Sequence, residues 1–245
     1  MLNKKIFVGI MLSVISSQVS YAAIALDRTR VVFNESDKSI SLNISNENNQ
    51  LPYLVQAWIE DENGKKINSP ITVVPPLQRL EAQAKSQVRL LTLPDISKLP
   101  KDRESIFYFN LREIPPRSDK PNTLQIALQT KVKLFYRPVA IIVNEVDHTA
   151  PWQEKLLMKR EGKKYSLENP TPYYVTIVSA TTGTKKDINE FNPLMLSPFS
   201  SGYLNVTAQQ LGDSPILTYI NDYGGHPQLS FQCNKSTCTS KPIKN

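Results

Sequence analysis

From Ile24 onward, apolar and polar residues alternate with a period of two, in short runs broken by Pro, Asn, Asp and Gly. That is the pattern of half-buried strands; a helix would repeat near 3.6. Ile40, Leu42 and Ile44 alternate with Ser39, Ser41, Asn43 and Ser45, and the polar stretch Asn46–Pro52 then leads into Tyr53–Ile59. Asp61-Glu62-Asn63-Gly64 is a hairpin signal, because Asn-Gly tolerates the positive φ of a tight turn. Val88, Leu90 and Thr92 continue the pattern, then Phe107, Phe109 and Leu111, then the longest run, Thr123–Tyr136. About seven strands at this spacing predict an immunoglobulin-like β-sandwich.

Arg137-Pro138 ends the longest run, and the apolar stretch Val139–Val146 gives way to Asp147-His148-Thr149-Ala150-Pro151. A domain junction is expected there. Further short runs follow at Tyr165–Leu167, Tyr173–Val178, Gly202–Val206, Ile216–Ile220 and Gln228–Cys233, which suits a second sandwich of about 100 residues. No internal repeat relates the halves. The expected fold is all-β with two domains, residues 23–138 and 139–245.

The first 22 residues break the pattern. Lys4 and Lys5 precede the apolar stretch Ile6–Ile15, and Ser20-Tyr21-Ala22 is a small-x-small cleavage site, so 1–22 reads as a secretory signal peptide. The apolar stretch is too short to span a membrane, and no later run replaces it. The chain has 245 residues, 18 of them Pro and only 8 Gly, with 40% hydrophobic and 21% charged residues. These are globular values that exclude collagen and disorder. Cleavage removes two lysines and no acid, which takes the formal net charge from +7 to +5. An excess of that size favours anionic partners without choosing among them.

Export also bears on Cys233 and Cys238. An oxidising compartment and a short gap favour one local disulfide; free thiols or a metal site are the alternatives, the latter needing two further ligands. His148 and His226, the two histidines, have no ligand-like spacing. No G-x-S-x-G, H-E-x-x-H, P-loop or G-x-G-x-x-G occurs, so no catalytic residue, cofactor or metal is expected. A paired-carboxylate hydrolase has no short signature to look for. The triplets at Asn34, Asn43, Asn205 and Asn234 are what chance gives in an Asn-rich chain.

The segment Asn122–Arg137 is the most informative. Leu124, Ile126 and Leu128 fall on one face of a strand and would be core in a generic sandwich. Lys131 and Lys133 follow in the same strand, where lysine faces solvent, an edge or an anion. An edge strand with exposed aliphatics is an aggregation hazard, and its use would be pairing with another chain.

Several stretches in fixed order resemble the periplasmic pilus chaperones. They are Leu26-Asp27-Arg28-Thr29-Arg30, Gln50–Ile59 (QLPYLVQAWI), Pro75–Leu80 (PPLQRL), Tyr108–Pro116 (YFNLREIPP), Leu134–Pro138 (LFYRP), Asn169–Tyr174 (NPTPYY) and Ile220–Gly225 (INDYGG). The resemblance covers nearly all of the chain beyond residue 22. It implies two immunoglobulin-like domains in a boomerang with a cleft between them, working in the periplasm without cofactor or nucleotide. Arg30 and Lys133 match cleft residues that anchor the C-terminal carboxylate of a pilus subunit. Leu124, Ile126 and Leu128, with Asn122, match a donor segment lent to the subunit's incomplete fold. Glu104, Arg137 and Asp222 match an interdomain ionic cluster, and Cys233 and Cys238 a second-domain disulfide. The cysteine-free loop Ile114–Asn122 matches the short-loop branch. The implied partners are pilus subunits, an adhesin and an outer-membrane usher, with no nucleic acid and no membrane insertion; self-association through the donor strand is an option for the free chain. The competing function is an exported immunoglobulin-like structural or adhesive pilus protein, although subunits are incomplete single domains.

Overall fold

The computed structural model describes residues 23–142, 151–184 and 186–243. The expected signal peptide, the stretch from Val143 to Ala150 and His148 within it lie outside the described residues. Ten strands occupy the first half: β1 (Ile24–Leu26), β2 (Arg30–Asn34), β3 (Ser39–Asn46), β4 (Tyr53–Glu60), β5 (Lys66–Ile67), β6 (Ile71–Val74), β7 (Leu77–Leu80), β8 (Lys85–Thr92), β9 (Ser105–Ile114) and β10 (Gln129–Arg137). They form a four-stranded sheet, β1-β3-β8-β6, and a six-stranded sheet, β2-β10-β9-β4-β5 with β7 paired to β4. The alternation explains the layering. Leu42, Ile44, Ile71, Val88 and Leu90 face inward from one sheet, and Val31, Phe33, Ile59, Phe109 and Leu134 from the other. Both sets leave water together, which is the main favourable contribution to folding.

The hairpin at Asp61–Gly64 joins β4 to β5, with Gly64 at φ +78°. The Asp61 carboxylate accepts from the backbone N–H of Asn63 and Lys65. Its role as the organising side chain follows from the Asx geometry that lets aspartate mimic a backbone turn.

The longest predicted strand is a correction. It begins at Gln129, and residues 122–128 belong to no strand. The reason lies in its neighbours. β9 ends at Ile114 before Pro115 and Pro116, which have no N–H to offer, and the last bond on that side runs from the Glu113 N–H to the Leu128 carbonyl. On the other side β2 starts at Arg30, opposite Lys133, and the chain before it crosses to the other sheet as β1. Residues 122–127 therefore run past both potential partners, and Leu128 keeps the single bond to Glu113. Asn122 has φ +55°, a left-handed turn conformation that Asn tolerates.

The second half contributes β11 (Leu157–Glu161), β12 (Lys164–Asn169), β13 (Val175–Thr181), β14 (Leu194–Leu196), β15 (Ser200–Thr207), a single helical turn α1 (Ala208–Leu211), β16 (Ile216–Tyr219), β17 (Gln228–Asn234) and β18 (Thr237–Pro242). Hydrogen bonding joins all eight strands in one sheet, ordered β14-β13-β16-β17-β18-β11-β12-β15. The end strands meet: a Cβ on Gly202 of β15 would lie 3.1 Å from the Leu196 side chain of β14. The folded sheet encloses its own core, including Tyr165, Leu167, Ile177, Leu217 and Phe231.

Cys233 and Cys238 face each other across the β17–β18 hairpin and are disulfide-bonded. Both are buried against the second core. Replacing the pair by serine is expected to lower the stability of this half by about 2 kcal/mol, the loop-closure value for so short a ring. Denaturant midpoints of wild type and variant would show it, and a reductant should shift only the wild type.

Candidate functional site

β2 is parallel to β10, whereas the other described pairings are antiparallel, and the register sets Lys133 beside Arg30. In both strands the inward positions are apolar, Val31 and Phe33 on β2, Val132, Leu134 and Tyr136 on β10. Arg30 and Lys133 therefore emerge side by side on the opposite face, about 4.8 Å apart along the hydrogen-bond direction. Residues from the second half reach both. Arg30 Nη1 donates to the Ile220 carbonyl at 3.3 Å, and Lys133 Nζ donates to Thr176 Oγ1 at 3.3 Å. Arg30 also lies over the Phe135 ring, 5.9 Å from its centroid.

This arrangement is two half-buried cations held by neutral acceptors. Burial pushes the Lys133 ammonium below the ordinary lysine value, and Arg30 beside it pushes the same way. Burial also lowers Arg30, against the attraction of Asp222 and Glu104, which are bonded to Arg137. Two desolvated like charges side by side are relieved by an anion that accepts from both, and a carboxylate has the two oxygens to do so.

Arg137, at the end of β10, is the hub of a second cluster. Its Nε and Nη2 donate to Glu104 Oε1 at 2.9 and 2.7 Å, and its Nη1 donates to Asp222 Oδ2 at 3.0 Å. The Tyr174 N–H donates to the other Glu104 oxygen at 2.8 Å, and the Glu104 N–H to the Pro172 carbonyl at 2.9 Å. The guanidinium lies over the Trp152 and Tyr173 rings. Glu104 and Arg137 come from the first half, Asp222 and Tyr174 from the second, so one network ties the two together. Burial pushes the Glu104 carboxyl up to about 7, against the lowering by Arg137 and the Tyr174 N–H. Despite its own burial, Arg137 is raised by Glu104 and Asp222.

The aliphatic row sits at the far end of β10. Leu124, Ile126 and Leu128 are 85%, 65% and 46% exposed, so none of them is core. Gln125, between the first two, bonds back to the loop through Pro116 and Ser118. At the junction, Gln129 accepts from Arg112 Nη2 at 2.9 Å and donates to the buried Asn110 Oδ1 at 2.8 Å, which fixes where the ordered strand begins. Lys131 pairs with Glu60 at 2.6 Å and lies over Tyr108, so of the two strand lysines only Lys133 faces the second half.

The sequence does not reveal Thr176, the Ile220 carbonyl, the Tyr174 N–H, or the Trp152 and Tyr173 rings as partners of this region. They reach it through tertiary contacts between residues far apart in the chain. Among the described residues no cluster of His, Cys, Asp and Glu could hold a metal ion, and no helix is long and apolar enough to cross a membrane.

Comparison with known proteins shows the family. Residues 23–141 match the family described as pili and flagellar-assembly chaperone, PapD N-terminal domain, and residues 151–231 match pili assembly chaperone PapD, C-terminal domain. The chain is 55% identical over its full length to the full length of chaperone protein PapD of Escherichia coli. It is 41% identical to chaperone protein PmfD of Proteus mirabilis, over 98% of this chain and 94% of that one. Among solved structures it is similar to the periplasmic chaperone SfaE, with TM-score 0.69 and 30% identity over 84% of this chain and 98% of that one. It is likewise similar to a chain of the Salmonella enterica SafA pilin–SafB chaperone complex, with TM-score 0.70 and 27% identity over 91% and 98%. With both halves matched and more than half of all positions identical to a full-length relative, the chain belongs to the family of PapD-like pilus-assembly chaperones.

Proposed function

We propose that this pilus-assembly chaperone is exported with loss of residues 1–22 and acts in the periplasm through two domains, 23–138 and 139–245. It holds a pilus subunit by its C-terminal carboxylate and by strand complementation, then hands it to an outer-membrane usher. Arg30 and Lys133 bind the carboxylate. Leu124, Ile126 and Leu128 fill an apolar groove in the subunit, while Asn122 turns the chain into the row. Glu104, Arg137 and Asp222 hold the two domains in one relation. The observation that carries the reading is the exposed aliphatic row that continues, outside any strand, directly from the strand that bears Lys133.

From Leu128 to Lys133 is five residues, about 17 Å of strand, so a carboxylate fixed at Lys133 sets the register of a subunit strand along the row. Burying three aliphatics contributes about 5–9 kcal/mol before ordering costs, which favours a stable complex without a nucleotide. The pilin bound to the SafB chaperone supports the partner class. The reading is tested by periplasmic co-expression with a subunit from the same cell and size exclusion for a one-to-one complex; no complex with any such subunit would sink it. Ile126→Asp should weaken capture by roughly a hundredfold, since a charge would enter an apolar groove. Its thermal unfolding should match wild type because the side chain is 65% exposed in the free chain.

A further inference from the structure

The turn joining β16 to β17 reaches across to the first domain, and its backbone is tightly determined. Asn221 Oδ1 accepts from the N–H of Tyr223 at 3.1 Å and of Gly225 at 2.8 Å. The Gly224 N–H donates to the Asn221 carbonyl at 3.1 Å, and the Asn221 N–H to the Gly225 carbonyl at 3.0 Å. Upstream, the Ile220 N–H is held by the Thr176 carbonyl at 3.1 Å. Gly224 has φ +83°, and a Cβ built on it would lie 2.7 Å from Thr29 Oγ1 of the first domain. That is closer than real Cβ contacts come.

We propose that Gly224 is a positioning residue for the carboxylate anchor: its missing side chain lets the turn seat on Thr29, and the seated turn places the Ile220 carbonyl on Arg30. The same turn carries Asp222 to Arg137. The internal bonds make the turn move as a unit, and a Cβ at Gly224, strained at φ +83° and pressed on the Thr29 hydroxyl, pushes it away from the first domain. Arg30, next to Thr29 in sequence, then loses the acceptor that holds its Nη1, and its guanidinium is no longer held in place beside the Lys133 ammonium. Thr29 and Gly224 touch nothing in a subunit under this account; they act through Arg30. The inference rests on the carboxylate-anchor reading given above.

The test uses a synthetic peptide carrying the C-terminal strand of a pilus subunit, with a free carboxylate and as its amide, titrated by calorimetry into the full chain. Wild type should prefer the carboxylate form. Gly224→Ala should bind that form about tenfold more weakly and lose most of the preference, while its affinity for the amide stays within about twofold. Thr29→Ala, which removes the hydroxyl that would lie 2.7 Å from the new Cβ, should restore the part of the loss that comes from this contact when combined with Gly224→Ala, the strain at φ +83° remaining. Thr29→Leu crowds the turn from the other side without touching its backbone and should reproduce the defect, which keeps the test open if Gly224→Ala folds poorly. Unchanged carboxylate preference in both Gly224→Ala and Thr29→Leu would overturn the proposal, as would a defect that Thr29→Ala does not relieve. A wild type that binds acid and amide equally would sink the anchor reading itself, and this proposal with it.

Discussion

Lys133→Ala is expected to weaken subunit capture by roughly 10- to 100-fold while leaving the chain as stable as wild type or slightly more so. The two halves of that expectation come from one observation. Lys133 is half-buried beside a second cation, with the Thr176 hydroxyl as its partner among the described residues, and burial together with Arg30 lowers its pKa. Removing it relieves a cost in the free chain and removes a charge-assisted bond in the complex. One such bond is worth about 1.5–3 kcal/mol, so one anchor accounts for roughly a 10- to 100-fold loss of affinity. Arg30→Ala should behave alike, and the double variant should not capture at all. Capture by either double or single variant at wild-type affinity would refute the assignment.

The sign of the pH dependence follows from the same group. A bound carboxylate favours the charged ammonium, so the complex raises a pKa that the free chain lowers. Affinity is then constant from neutral pH up to the free-chain value and declines as pH rises through it, earlier than an ordinary lysine would allow. Arg30 stays charged throughout. Lys133→Arg should keep its affinity at alkaline pH, where wild type weakens, and titrations at neutral and alkaline pH separate the two.

How much of this was legible in the sequence differs by kind of feature. Alternation reveals most strands because each is half-buried, and it fails where a strand is polar, as in β18 (Thr237–Pro242), or buries little, as in β11 with Met158 alone buried. The helical turn α1 did carry a signal, the Thr207-to-Gln210 capping box, too short to stand out in a β-rich chain. Leu124, Ile126 and Leu128 show the limit of periodicity. Their spacing is that of a strand face, yet a strand needs a neighbour, and the prolines after Ile114 and the crossover before Arg30 remove both candidates. The side-by-side placement of Arg30 and Lys133 depends on a parallel register between segments about a hundred residues apart, which no local pattern encodes. Family resemblance, carried by whole motifs, pointed to those two residues; it did not point to Thr176, Ile220 or Tyr174, whose contributions are a hydroxyl and two backbone groups.

The ionic hub gives the largest expected loss of stability. Arg137→Ala leaves the Glu104 carboxylate, whose side chain is 2% exposed, without its counterion and strands Asp222 across the boundary between the halves. Removing one partner of a buried pair costs about 3–5 kcal/mol, because the remaining charge stays desolvated. For a chain of this size that lowers the unfolding midpoint by on the order of 10 °C. The Trp152 and Tyr173 rings also lose the cation they flank. A pH comparison identifies the cause. Glu104 already sits at about 7 in the folded chain, above its ordinary value of 4.5, so the folded state holds a proton that the unfolded chain has released between those values. Stability from this group is therefore fully present below 4.5 and declines as pH rises through 7. Without Arg137 the carboxyl moves higher still, so the variant should be closest to wild type near pH 5 and furthest from it near pH 8. Adding Glu104→Gln to Arg137→Ala removes the stranded charge and should recover part of the loss at pH 8 and little at pH 5. A deficit independent of pH, or one that Glu104→Gln leaves untouched at pH 8, would mean that Arg137 acts through packing on Trp152 and Tyr173 and not through Glu104.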